Sequence, residues 1–381
     1  MMGCQSKTLK SRPRNAGIDL LKIIAIIFIC IAHSRPDYVA FLDKTSPAYI
    51  DSNLASSNIH HVLLNAFNYF GQVGSSAFVI CSAYFLVDSN KLKTSKIWNM
   101  IADTLIFSWI WFAVVYCLGF DVGIKDIIKT AFPITFGNNW FIGCYLLLYL
   151  IHPGLNAVIR SLDRRNLLIV NCVGFILYSC ISMIPESQLY YTSLVGFVLI
   201  YFNVAYMKRE MNDISNNMRI NKILLLLCAF ILLCMLILTN ILGLKYQVFS
   251  DQMRKLTTFR NPFIILAALS LFNIFRNMKI NSRFISELAS VTLLIYIIHE
   301  DILFRGRIKP LWWIFVYEKF SYDYVVMWAI LTGGICFILS IIIAFIYKAT
   351  LKKVVSKICD WLNSFLRSLF NKAINLLLLI K

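Results

Sequence analysis

Charge is scarce in this chain. Only 15% of its 381 residues are charged, 59% are hydrophobic, and the mean hydropathy is +0.71. A soluble domain of this size would need a polar surface that the chain does not hold, so that class is excluded. Acidic residues are the scarcest, 19 against 37 basic ones. The positive excess does not describe a nucleic-acid binder, because the basic residues stand between apolar stretches. Long polar segments are missing too. The longest, about residues 35–61, is too short to bury a core of its own. Whatever the chain does must be done by a membrane-embedded bundle and its loops.

Other absences narrow the class further. None of the 11 Cys forms a C-x-x-C pair, and Cys30, Cys81, Cys117, Cys144, Cys172, Cys180, Cys228, Cys234 and Cys336 lie in apolar stretches as small buried hydrophobes. Neither a metal site nor a disulfide framework is expected. The basic N-terminus runs into the first apolar stretch without a small-residue cleavage site, so that segment is expected to be retained. "MMGCQSK" lacks both the offset hydroxyl residue and the apolar lipobox that lipidation requires. No internal repeat of the kind that builds inverted-repeat transporters stands out.

What is present is ten apolar stretches: about 17–34, 62–87, 97–120, 140–159, 167–185, 188–207, 222–243, 258–275, 284–304 and 324–349. Each approaches or exceeds the roughly 20 residues that cross a hydrocarbon core. The expected fold is all-α, a polytopic transmembrane bundle of about ten spanning helices over residues 15–349. With the N-terminus in the cytoplasm, basic residues fall inside over outside by roughly two to one. Both termini are then cytoplasmic. Residues 350–381 form an amphipathic tail, with Val354, Val355, Ile358, Leu362, Phe365, Leu366, Leu369 and Phe370 at helical spacing and mostly polar residues opposite. Such a helix is expected to lie on the anionic leaflet and contact membrane lipids.

Ionisable groups inside spans are functional candidates by default. In "GIDLLKIIAIIFICIAHS", Asp19, Lys22 and His33 share one face at about 100° per residue. Lys22 and His33 are separated by roughly 16 Å along the axis, the Lys toward the cytoplasm. Two readings compete: a working face, or an Asp19–Lys22 pair at the inner interface with His33 marking the helix end. Asn65, Asn68, Gln72 and Ser76 form a stripe on the second stretch, as either interhelical hydrogen bonds or a cavity wall. Asn138, Tyr145, Tyr149 and His152 share a face of the fourth, read as packing. Thr292, Tyr296 and His299 share a face of the ninth, near its outer end, where a hydrogen-bonded core His is the rival explanation. Trp312 and Trp313, in the loop "IKPLWWIFVYEKF", are either interfacial anchors or stacking rings for a sugar.

Asp19, Lys22 and His33 fit the spacing D-x-x-R-x10-H that opens the type-3 membrane acyltransferase family, with Lys22 at the Arg position. "GSSAFVICSAYFLV" resembles that family's second-helix G-x-x-x-x-F-F-x-x-S-G-[FY]-x-L element, Ala83 standing where Gly is usual. "NNWFIGCYLLLYLIHPGLN" and "SVTLLIYIIHEDIL" resemble its W-F-[LI]-x-x-[LY] and Y-L-x-H segments, in the family's order. The resemblance runs from about residue 15 to residue 303.

It implies an O-acyltransferase of the bacterial cell membrane that modifies surface glycans. The donor would be acyl-CoA, usually acetyl-CoA, and the acceptor a hydroxyl of a cell-surface or lipid-linked carbohydrate, with no nucleic-acid partner and no permanent cofactor. His33 is implied as the catalytic residue, either as general base, suited by an ordinary pKa of about 6.5, or as a covalent acyl carrier. Lys22 and Asp19 are implied at the donor, with Lys91 or Arg165 as helpers. Ser82, Tyr296 and His299 are candidates for acceptor binding or for shaping the site. The rival class is a transporter or polymerase of lipid-linked glycans, equally basic and polytopic. A polymerase, however, is expected to carry a long external loop with several Arg.

Overall fold

A computed structural model describes residues 15–36, 55–136, 139–184 and 192–379. Residues 7–14 and Asn138, used in the charge and face assignments above, lie outside the described residues. Among those described, the chain is helical and has no strand.

The order is α1 (Ala16–Ala32), α2 (Ile59–Leu86), α3 (Thr94–Cys117), α4 (Ile124–Ala131) and α5 (Trp140–Ser161). Helix α6 (Arg164–Phe175) continues through a π turn, Ile176–Cys180, and a 3-10 turn, Ile181–Met183. Then come α7 (Ser193–Glu210), α8 (Asn212–Asn216), α9 (Met218–Gly243), α10 (Gln247–Leu256), α11 (Pro262–Arg276), α12 (Arg283–Ala289) and α13 (Thr292–His299). A second π turn, Phe304–Ile308, leads into α14 (Lys309–Lys319), followed by α15 (Val325–Thr350) and α16 (Lys352–Leu379).

Helix α1 is the axle of the bundle, packed against α2, α11, α12, α13 and α15. It starts where it does because the Asn15 side chain accepts hydrogen bonds from the Gly17 and Ile18 N–H groups, two donors otherwise orphaned at a helix start. The same Asn15 amide donates to the Arg276 carbonyl at 2.9 Å, fixing the start of α1 to the end of α11. Along its length the neighbours come to backbone distance. A Cβ on Gly74 of α2 would sit 2.6 Å from the Ala25 carbonyl, and one on Gly333 of α15 would sit 2.7 Å from the Ile31 Cα. Small residues at such crossings let helices gain dispersion contacts where lipid offers no hydrophobic drive.

Six helices among the described residues are long and apolar enough to cross a membrane: α2, α3, α5, α6 with its extension to Met183, α9 and α15. The other four stretches read from the sequence form shorter or interrupted helices. α1 has 17 residues and α11 has 15. α7 runs into Lys208, Arg209 and Glu210 at its end. The ninth stretch is not one helix but two, broken at Ser290–Val291. There the Ser290 hydroxyl bonds the Glu287 carbonyl at 2.6 Å and the Thr292 hydroxyl bonds the Ala289 carbonyl at 2.9 Å. Hydroxyls that take backbone acceptors compete with the helical ladder.

The tail is helical from Lys352, and its start is tied into the bundle. Asp103, nine residues into α3 and buried, receives Lys352 Nζ at 2.7 Å and the Tyr347 hydroxyl at 2.7 Å. Ser356 donates to Asn99 at 2.8 Å one turn away. Val354, Ile358, Trp361 and Phe365 stay exposed. Removing Lys352 leaves a buried carboxylate short of its cation. Because the Lys352 side chain is about a quarter exposed (26%), the expected loss is about 2 kcal/mol rather than the larger cost of a fully buried pair. Thermal unfolding in detergent should therefore occur at lower temperature for Lys352→Ala than for Lys353→Ala, whose side chain is exposed; equal midpoints would remove this role.

Candidate functional site

Two helix ends meet at one end of α1. His33 follows the last residue of that helix, and its N–H still bonds the Ile29 carbonyl at 2.9 Å, so the ring leaves from a fixed backbone. Helix α13 ends at His299, and the Glu300 N–H bonds the Tyr296 carbonyl at 3.1 Å. The His33 Nδ1 lies 2.7 Å from Glu300 Oε2 and 3.3 Å from His299 Nε2.

The hydrogen-bond network sets the protonation of both rings. His299 Nδ1 is 2.7 Å from the Ile295 carbonyl, which only accepts, so Nδ1 carries the proton and Nε2 is left as an acceptor. His33 Nδ1 then faces two acceptors, the Glu300 carboxylate and His299 Nε2, and must itself donate. The lone pair of a neutral His33 is thereby placed on Nε2, the nitrogen turned away from Glu300.

Glu300 is fully buried, a cost that isolated burial of a carboxylate would not repay. Its second oxygen takes Arg305 at 2.7 Å, so the carboxylate is held between a guanidinium and an imidazole. The π turn Phe304–Ile308 brings Arg305 to this position, and Trp111 stacks on Phe304 with centroids 4.4 Å apart. Lys309, also buried, donates to the His33 carbonyl at 3.0 Å. Tyr296 stands edge-on to both rings, with centroids 6.4 Å from His33 and 5.8 Å from His299. A narrow apolar crevice lined by Ile29, Phe78, Phe141, Leu293 and Tyr296 adjoins the site. The His33 side chain keeps 13% of its surface exposed, while Glu300 keeps 1%.

His33, His299 and Glu300 bring ligand atoms within 4.8 Å of one another, close enough to hold a cation. Arg305 already supplies positive charge to Glu300, and each Nδ1 has an acceptor, so the set is complete without a metal. We assign none.

The other end of α1 holds a separate cluster. Lys22 Nζ is 3.4 Å from Asp19, whose other oxygen accepts from the Ser286 hydroxyl at 3.0 Å. The Lys22 ammonium also lies 6.0 Å from the centre of the Phe85 ring.

A family model described as an acyltransferase domain matches residues 15–348. The chain belongs to this type-3 acyltransferase family. No curated protein and no solved structure matches it.

In this acyltransferase three residues singled out from the sequence, His33, Tyr296 and His299, come together, and two, Asp19 and Lys22, lie at the far end of the same helix. Ser82, half-buried on α2, lies about two turns beyond Gly74; Gly71 abuts Ala32 and Gly74 abuts Ala25, so α2 runs antiparallel to α1, toward Asp19 and Lys22. Ser82 thus belongs with the Lys22 end rather than with His33. His152 is buried and bonds the Tyr149 carbonyl of its own helix at 2.6 Å. Gln72, on the polar stripe, accepts from the Phe259 N–H at 3.0 Å, which ties α2 to the turn between α10 and α11. Trp313 is neither an interfacial anchor nor a stacking platform: it is fully buried, packed with Leu64, Val316, Val325 and Ala329. Trp312 donates to Thr332 at 2.9 Å.

Glu300, Arg305 and Lys309 were not anticipated. A signal existed for the first: a carboxylate directly after His299, at the end of an apolar run, must find a cation or stay in water.

Proposed function

We propose that this membrane acyltransferase moves an acyl group, acetyl in the first instance, from acyl-CoA to a hydroxyl of a cell-surface or lipid-linked carbohydrate. The setting is the bacterial cell membrane, with both chain termini in the cytoplasm. The observation that carries the chemistry is the 2.7 Å contact between His33 Nδ1 and Glu300.

A sugar hydroxyl is a weak nucleophile at neutral pH and needs a base in the transition state. His33 Nε2 takes the hydroxyl proton as the oxygen attacks the thioester carbonyl. The new C–O bond forms, the tetrahedral centre collapses with cleavage of the C–S bond, and the proton passes from Nε2 to the departing sulfur. During this cycle His33 is briefly an imidazolium, and the Glu300 carboxylate beside it stabilises that charge strongly because the surroundings are of low dielectric. Arg305 fixes the carboxylate, and Lys309 fixes the backbone that carries the ring. The same nitrogen supports the alternative in which His33 attacks the thioester and carries the acyl group before passing it on.

The test is transfer of label from radiolabelled acetyl-CoA to a lipid-linked glycan in membranes holding the protein. Label in the glycan, lost in His33→Ala and kept in His152→Ala, supports the enzyme. Movement of glycan across the membrane without label would replace it with a transporter.

A further inference from the structure

We infer that the phosphates of the acyl-CoA donor bind in a cavity of about 460 Å³ at the basic end of the bundle, walled by Arg160, Lys208 and Arg209. This rests on the acyl-CoA reading above and gives the donor a place that the sequence did not indicate.

The cavity opens where α2, α5 and α7 end together. Its floor is rigid. Asn156 of α5 donates to the Leu86 and Ser89 carbonyls at 2.9 Å each and accepts from the Tyr201 hydroxyl at 2.7 Å, so one buried amide locks all three elements. The volume falls within the range of small-molecule sites. Three cations line it against a single carboxylate, Asp88.

Helix capping accounts for part of this charge but not all. Arg209 bonds the Ile159 and Leu162 carbonyls at the end of α5 and pairs with Glu210 at 2.8 Å. Lys208 pairs with Asp88 at 2.5 Å and lies 4.1 Å from the centre of the Tyr84 ring. Arg160 donates only to the Asn90 side chain, at 2.9 Å, and among the described residues has no carboxylate partner. With Lys208 and Arg209 ion-paired, the surplus positive charge is the Arg160 guanidinium, whose fork is chemically matched to phosphate oxygens.

The position suits a long donor. Arg276 also lies near the Tyr84 ring, 5.6 Å from its centre, and Lys22 lies 6.0 Å from the next ring, Phe85. Positive charge therefore continues from the cavity to the helix that carries His33, with roughly 16 Å of that helix left to travel. That end of the bundle faces the cytoplasm on the charge-bias reading, where acyl-CoA is found. An anionic lipid headgroup offers the same phosphate chemistry; the donor is favoured because the cavity has nucleotide-sized room.

Binding of radiolabelled CoA and the KM for acetyl-CoA are measured on the full chain in zwitterionic phosphatidylcholine nanodiscs, beside acetyl-pantetheine, which lacks phosphates. Arg160→Gln and Arg160→Gln/Lys208→Gln should weaken CoA binding, the double variant by about tenfold or more, with the KM for acetyl-pantetheine unchanged. Lys353→Gln, which removes a cation elsewhere, should leave both unchanged. CoA binding equal to wild type in both variants overturns the site alone. Equal weakening toward acetyl-pantetheine also overturns it, as a packing effect. If the double variant instead sheds co-purified phosphatidylglycerol and keeps its CoA affinity, the cavity holds a lipid and the inference falls. Absence of CoA binding to the wild-type chain would remove the donor reading together with the site.

Discussion

Replacing His33 with Ala should lower acyl transfer to the proposed carbohydrate acceptor by about a thousandfold or more, the loss expected when a general base or an acyl-carrying nucleophile is removed. The fold should persist, since Arg305 still pairs with the buried Glu300 and the backbone at this position is held independently by the Ile29 carbonyl and by Lys309. The measurement is initial rate in membranes at saturating acetyl-CoA, with unfolding followed in parallel. His33→Gln separates size from chemistry, because it fills most of the same space without offering a basic nitrogen. Activity within about tenfold of wild type in either variant would remove His33 from the chemistry, since base catalysis alone is worth more.

Glu300→Gln is expected to cut kcat by roughly a hundredfold to ten-thousandfold while leaving the KM for the donor near its original value. A carboxylate has two acceptor oxygens, one for His33 and one for Arg305. An amide has only one. If its oxygen keeps Arg305, its NH2 group faces His33 Nδ1, which must give up its proton to accept; the proton then sits on Nε2 and the base is gone. If its oxygen keeps His33, the NH2 group opposes the guanidinium and Arg305 is left unpaired. Either outcome also removes the negative charge that would balance the imidazolium. Arg305→Met should be milder, because Glu300 would still orient the ring. A Glu300→Gln enzyme that kept its kcat, or one that lost only donor affinity, would show that the contact holds structure and not chemistry.

Much of this architecture was legible in the sequence, because the apolar stretches and the spacing of intramembrane charges are local signals. The shared face of Asp19 and Lys22 appears as a 3.4 Å contact, and His299 and Tyr296 stand beside His33. What was not legible depends on partners far apart in the chain. The pairing of His33 with Glu300 spans most of the sequence, and so does that of Asp103 with Lys352. The break within the ninth stretch hangs on single hydroxyls, Ser290 and Thr292, that a hydropathy average does not register. Trp313 reads as an interface residue because a Trp pair sits in a short segment between basic residues, whereas its burial comes from Leu64 and Ala329 on other helices.

The tight seating of α1 restricts how any reaction here can proceed. Anchored by Asn15 at one extremity and by Lys309 at the other, with Gly74 and Gly333 in backbone contact along its flanks, this rod would have to break both anchors and press into its neighbours to slide or roll by a residue. The imidazole it carries is a stationary post. On the proposed acyl-transfer mechanism, the reactants would have to come to this post rather than be carried by it.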